Sequence, residues 1–167
     1  SHEFLFFILI PLWIELQSAL GNLPDEEFAT HFDLVFLDEL KKLDEKPKNK
    51  MIVEMRQQSR EIFHKVFPAL QKLFPGYEVY SSEEDLYQLI SELDFTRYLK
   101  GFVDLVVKTP DGKYHIIDWK SCSWGWDMKR KSDSMTTYQL TLYKKFFCEK
   151  HGIDPKEVET YFGLLKR

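Results

Sequence analysis

A chain of 167 residues that is 44% hydrophobic and 16% aromatic can bury a full core, so one globular domain is expected and a disordered or fibrous chain is excluded. Its 23 basic and 27 acidic residues leave a net charge of −4, which rules out a basic footprint over the whole surface and leaves any nucleic-acid contact to a local patch. Two cysteines, Cys122 and Cys148, are too few for a disulfide scaffold, a four-thiolate zinc site or a four-cysteine iron–sulfur cluster, and they fit a reducing, intracellular setting.

The opening run FLFFILIPLWIEL (Phe4–Leu16) is strongly apolar. It contains Pro11 and falls short of the roughly 20 residues a membrane-spanning helix needs. It also lacks the basic start and small-residue cleavage site of a secretory signal, so it reads as a buried element with no membrane role. Asp25–Leu43 places Phe28, Phe32, Val35, Phe36, Leu40 and Leu43 on one helical face, with acids first and lysines last as the helix dipole prefers. After the polar linker DEKPKNK (Asp44–Lys50), a second helix is expected from about Met51 to Phe74, ended by Pro75-Gly76. Tyr77–Ser82 reads as a short strand, and Glu83–Leu93 as a helical stretch.

Gly101–Ser121 holds two β-rich runs joined by Thr109-Pro110-Asp111-Gly112-Lys113. Proline second and glycine fourth suit a type I turn followed by a left-handed residue, the three-residue hairpin loop with a G1 bulge. If Thr109 pairs with Lys113, Asp104 lies directly across from Asp118 on one face. A two-residue Asp-Gly loop would shift the register and set Trp119 opposite Asp104 instead.

Residues two apart on a strand share a face, so Asp118 and Lys120 project together and the hairpin adds Asp104. Carboxylate oxygens suit a hard divalent ion such as Mg²⁺ or Mn²⁺, and without one, two adjacent aspartates repel. The plainer alternative is an ion-pair network on an exposed sheet face. Val103, Val106, Val107, Ile116 and Ile117 argue against it, because strands this continuous in apolar residues are covered on both faces, where an idle charge cluster is expensive.

GFVD (Gly101–Asp104), then DWK (Asp118–Lys120), then Gln139 and Tyr143 in YQLTLY (Tyr138–Tyr143) together resemble the PD-(D/E)XK nucleases, and the Q-x-x-x-Y pair looks like the RecB branch. The resemblance spans about Met51 to the C-terminus. It implies that Asp104 and Asp118 bind metal together with the main-chain carbonyl of Trp119. It also implies that Lys120 orients or activates the attacking water or stabilises charge on the phosphate. The family adds a His or Glu from a preceding helix. His64 fits at the edge of the apolar face, about 60° around the axis from Phe67, although an ordinary boundary histidine would sit there too.

Gln139 and Tyr143, one helical turn apart, share a face. By resemblance they support the site and contact nucleic acid, whereas spacing alone also allows Tyr143 to be a core aromatic. In SWGWDMKRKSD (Ser123–Asp133), Trp124 and Trp126 with Lys129, Arg130 and Lys131 offer stacking and charge suited to single-stranded nucleic acid, or else a solvated charge run beside core tryptophans. Two departures stand out. Thr160–Arg167 reads as a strand cut short, and the cysteines many relatives use for an iron–sulfur cluster are missing.

The expectation is thus an α/β, restriction-endonuclease-like domain with a mixed central sheet and helices on both faces. Residues 1–50 form a helical extension and 51–167 the nuclease core. An Asp133–Lys150 helix leads to a strand near Thr160–Lys166 that runs parallel to the DWK strand. The expected activity is Mg²⁺- or Mn²⁺-dependent hydrolysis of DNA, as single strands or duplex ends, by an exonuclease of recombination, repair or phage genome processing, with a helicase or recombination partner. The competing expectation is a non-catalytic nucleic-acid-binding module inside a larger machine.

Overall fold

The computed structural model describes residues 25–42, 44, 48–90, 97–122 and 134–166. They fall into two compact units that meet in sequence at Pro75 and Gly76. No helix among the described residues is long and apolar enough to cross a membrane. The apolar run Phe4–Leu16 lies outside them.

The first unit contains α1 (Asp25–Lys41) and α2 (Asn49–Leu73), each within a few residues of its expected bounds. In α2, Met55, Ser59, Ile62, Phe63, Val66 and Leu70 are buried, a stripe with the period of a helix. Phe32 and Phe36 of α1 stack at 5.7 Å between ring centroids, and Phe63 meets Phe32 edge-on at 5.4 Å. The Arg56 guanidinium grips both oxygens of Asp33, with Nε donating to Oδ1 at 2.7 Å.

The second unit is a four-stranded sheet in the order β1 (Glu78–Ile90), β2 (Arg97–Lys108), β3 (Tyr114–Cys122), β4 (Val158–Lys166). The first two pairings are antiparallel and β3/β4 is parallel, as the β3–helix–β4 crossover anticipates. The crossover helix is α3 (Ser134–His151). Val106, Ile116 and Val158 of the sheet and Leu140, Phe146 and Phe147 of α3 form one buried cluster. Gly152, at φ 64°, ends α3, and Ile153 N–H reaches back to the Cys148 carbonyl at 3.0 Å, closing a Schellman motif whose Ile153 side chain packs on the same cluster.

The expected helix over Glu83–Leu93 is corrected: residues 83–90 continue β1, and 91–93 lie outside the described residues. Pairing with β2 wins over local preference, because Leu86 is buried opposite Gly101. The buried Glu84 side chain accepts from Ser81 Oγ at 3.0 Å, pairs with Lys150 Nζ at 3.1 Å and bonds His151, so β1 is tied to the end of α3. Burial alone would push the Glu84 carboxyl up, but His151, Lys150 and Ser81 outweigh it and hold the carboxyl below its ordinary value. At β2 the difference is one of length, since that strand starts at Arg97, ahead of the β-rich run expected from Gly101.

The β2/β3 turn takes the first of the two registers. Thr109 N–H donates to Lys113 O at 3.0 Å, Gly112 N–H to Thr109 O at 2.9 Å, and Gly112 holds φ 84°. Lys108↔Tyr114 through Leu105↔Ile117 follow in step. On the parallel side Trp119 pairs with Gly163, and a Cβ there would lie 2.1 Å from the indole Cε3. Gly163→Ala should therefore destabilise the fold by at least about 2 kcal/mol, the scale of overpacking a filled site. Urea unfolding reads this directly, and an unmoved midpoint would mean that the indole does not rest on Gly163.

Candidate functional site

Strand alternation places Asp118 and Lys120 on the face of β3 that also carries Ile116, toward α3. Asp118 is only 4% exposed, and its Oδ2 lies 2.8 Å from Lys120 Nζ, yet that oxygen receives no directed hydrogen bond. The Lys120 ammonium offsets part of the Asp118 charge, and a carboxylate has further lone pairs with which to meet a second cation.

Asp104 arrives from β2. The β2/β3 ladder runs to Leu105↔Ile117, and one residue further Asp104 Oδ2 accepts the Trp119 N–H at 2.7 Å. On its other side the β1/β2 register is unbroken from Ser82↔Leu105 to Glu84↔Val103, its one shift lying between Val79 and Ser81, and Glu83 between those pairs has a φ of 46°, in the left-handed region. Val103 and Val106, three apart, both enter the cluster under α3, so strict alternation breaks at Asp104. Irregularities of this kind re-aim a side chain. Burial first, and then the neighbouring Asp118 charge and a carboxyl–carboxyl hydrogen bond, push Asp104 up to about 7, against the opposing Trp119 N–H and Lys120 charge.

α3 completes the group. Lys120 Nζ donates to Gln139 Oε1 at 3.4 Å, and Gln139 Nε2 donates to Tyr143 Oη at 2.8 Å. Tyr143 is buried, and burial, the largest cause, pushes its hydroxyl above the ordinary phenol range despite Gln139. Asp104, Asp118, Lys120, Gln139 and Tyr143 are thus brought together. That Gln139 would bond Lys120 was not legible from i,i+4 spacing, which gives a shared face but not what the face meets.

His64 is exposed on α2, in the first unit. Trp124, Trp126, Lys129, Arg130 and Lys131 lie outside the described residues. Among the described residues no three or more His, Cys, Asp or Glu side chains gather as a metal cluster. Among the described residues of this unit the gathered side chains offer a cation two carboxylates, an oxygen donor set that, with main-chain oxygen, water or substrate added, suits Mg²⁺.

A mixed four-stranded sheet with two acids and a lysine meeting on its central strands, beneath a crossover helix, is the arrangement of restriction-endonuclease-like folds. The chain belongs to the PD-(D/E)XK nuclease superfamily, whose family model matches residues 13–165. No curated protein matches the chain.

The raised Asp104 carboxyl has a consequence for stability in the absence of divalent metal. Its folded-state pKa lies above the unfolded value of 3.8, so the folded protein holds the proton more tightly. Ionising it costs stability progressively from about pH 4 up to about pH 7, and the cost is complete above that. Asp104→Asn, which can still accept from Trp119, should be near neutral at pH 4 and stabilising by roughly 1–2 kcal/mol at pH 8. Thermal melts in EDTA at the two pH values check the sign, and a variant less stable than wild type at pH 8 would contradict it.

Proposed function

We propose that this chain is a divalent-metal-dependent nuclease hydrolysing phosphodiester bonds in DNA. In this reading it is an exonuclease of the RecB-like branch, working in recombination, repair or phage genome processing. Its setting is the cytoplasm of a bacterial or phage-infected cell, beside a helicase or recombination partner. Residues 1–167 act as one nuclease domain, and a family match running across the Pro75/Gly76 boundary supports this.

The observation that carries the reading is a pair of adjacent carboxylates, one buried and ion-paired to a lysine at 2.8 Å and the other driven toward protonation. Such a pair is costly by itself, and a divalent cation offsets the repulsion. Asp104, Asp118 and the Trp119 carbonyl would hold Mg²⁺ or Mn²⁺, with His64 as the proposed further ligand. Bound there, the ion would polarise the scissile phosphate and lower the pKa of a coordinated water.

The chain's own groups do the rest. Lys120, aligned by Asp118 and Gln139, holds the water nucleophile or the charge that develops on the phosphate. Gln139 and Tyr143 keep the lysine in place and border the substrate. Trp124 and Trp126 stack on bases while Lys129, Arg130 and Lys131 meet the backbone of a single strand or duplex end. No iron–sulfur cluster enters the scheme.

Single-turnover cleavage of labelled single- and double-stranded DNA in Mn²⁺ tests the proposal, with metal titration run in parallel so that binding and chemistry are separated. Lys120→Ala should cleave at least ~100-fold more slowly, the scale of losing one electrostatic stabiliser, while binding Mn²⁺ as wild type does. Asp118→Asn should lose both metal affinity and cleavage, because a ligand charge is gone. Undiminished cleavage by folded Lys120→Ala, or no cleavage by wild type on any substrate, would point to a non-catalytic binding module instead.

A further inference from the structure

Gly101 lies in the middle of β2, paired with Leu86. Its φ is outside the left-handed region that Gly76, Gly112 and Gly152 occupy, so its backbone would accept any residue. Glycine inside a strand weakens it and often marks a place where another group comes close. Here that group is the Tyr143 ring: a Cβ on Gly101 would lie 2.9 Å from Cε1 and 3.6 Å from both Cζ and Oη. The ring cannot easily move away, because it is 8% exposed within the α3 cluster and its hydroxyl takes the Gln139 amide.

The order of hydrogen bonds gives this seat a functional meaning. Lys120 has only protons to donate, so Gln139 must offer it Oε1, which turns Nε2 toward Tyr143. Tyr143 Oη then accepts, and its own proton points onward. A shift of the ring therefore reaches Lys120 through a single amide. From this we infer that Gly101 is a positioning residue. By presenting no side chain it seats the Tyr143 ring, and through Gln139 it sets where Lys120 holds its ammonium group. The inference deepens the nuclease reading above and rests on it for its effect on rate.

A double-mutant cycle tests it, with a second measurement that needs neither metal nor DNA. Gly101→Ala should lower kcat about 10–100-fold, the cost of a misplaced catalytic group, with the Mn²⁺ dissociation constant changed by no more than about twofold. In a Tyr143→Ala background, where no ring remains to be displaced, adding Gly101→Ala should change kcat by less than about twofold. Equal falls in both backgrounds, or no fall in either, would overturn the assignment. If Gly101→Ala fails to fold alone, the seat predicts that it folds again with Tyr143→Ala, and failure in both overturns it.

In metal-free protein labelled with 3-fluorotyrosine, the Tyr143 ¹⁹F resonance, identified by its loss in Tyr143→Phe, should move in Gly101→Ala. An unmoved resonance contradicts the seat. If wild type cleaves no DNA the nuclease reading fails, and this resonance still decides whether Gly101 seats the ring.

Discussion

The Thr109–Lys113 hydrogen bond decides which residues of β2 and β3 meet, and the site depends on that decision. Gly112 in the left-handed region makes the three-residue loop possible, and Lys108↔Tyr114 through Leu105↔Ile117 follow from it. A slip of one residue would turn Asp118 and Lys120 to the opposite face and set Trp119 across from Asp104. In the register adopted, the ladder gives way one residue past Leu105↔Ile117, where the Asp104 carboxylate accepts the Trp119 N–H that a continued ladder would turn to the Val103 carbonyl. The strand thereby keeps a satisfied amide at the point where it also offers an acid to the site.

Two acids so close, Asp118 buried and Asp104 half-buried, are unstable company unless something positive joins them. Lys120 answers part of the charge, but its ammonium is shared with Gln139. The rest appears as the raised Asp104 carboxyl. Around this unresolved charge the scaffold is heavily fixed. α3 is closed by a Schellman motif at Gly152 and tied to β1 through Glu84, Lys150 and His151, while Trp119 rests on Gly163 of β4. Rigid surroundings keep the acids from moving apart to relieve their repulsion, which is how a binding site is kept preorganised.

Much of this was legible in the sequence because its causes are local. The G1-bulge loop, the alternation that puts Asp118 beside Lys120, the amphipathic α1 and α2, and the crossover through α3 to a parallel β4 all follow from patterns within one or two elements. Residues 83–90 were not legible, since what keeps them extended is distant in sequence: β2 pairing and the grip of Lys150 and His151 on Glu84. The contact from Lys120 to Gln139 was hidden for the same reason. Nothing adjacent in sequence marks what Gly101 and Gly163 face, because the rings come from α3 and from the neighbouring strand.

The central claim is that Asp104 and Asp118 share one divalent cation, and Mn²⁺ anomalous scattering from crystals soaked above pH 8, where Asp104 is ionised, tests it most directly. The account predicts one strong peak within roughly 2.0–2.3 Å of an oxygen from each carboxylate, the range of hard-ion coordination, with Trp119 N–H still donating to Asp104. A peak away from both acids would contradict the account. So would a map without Mn²⁺ in which the carboxyls remain bonded to each other through a shared proton.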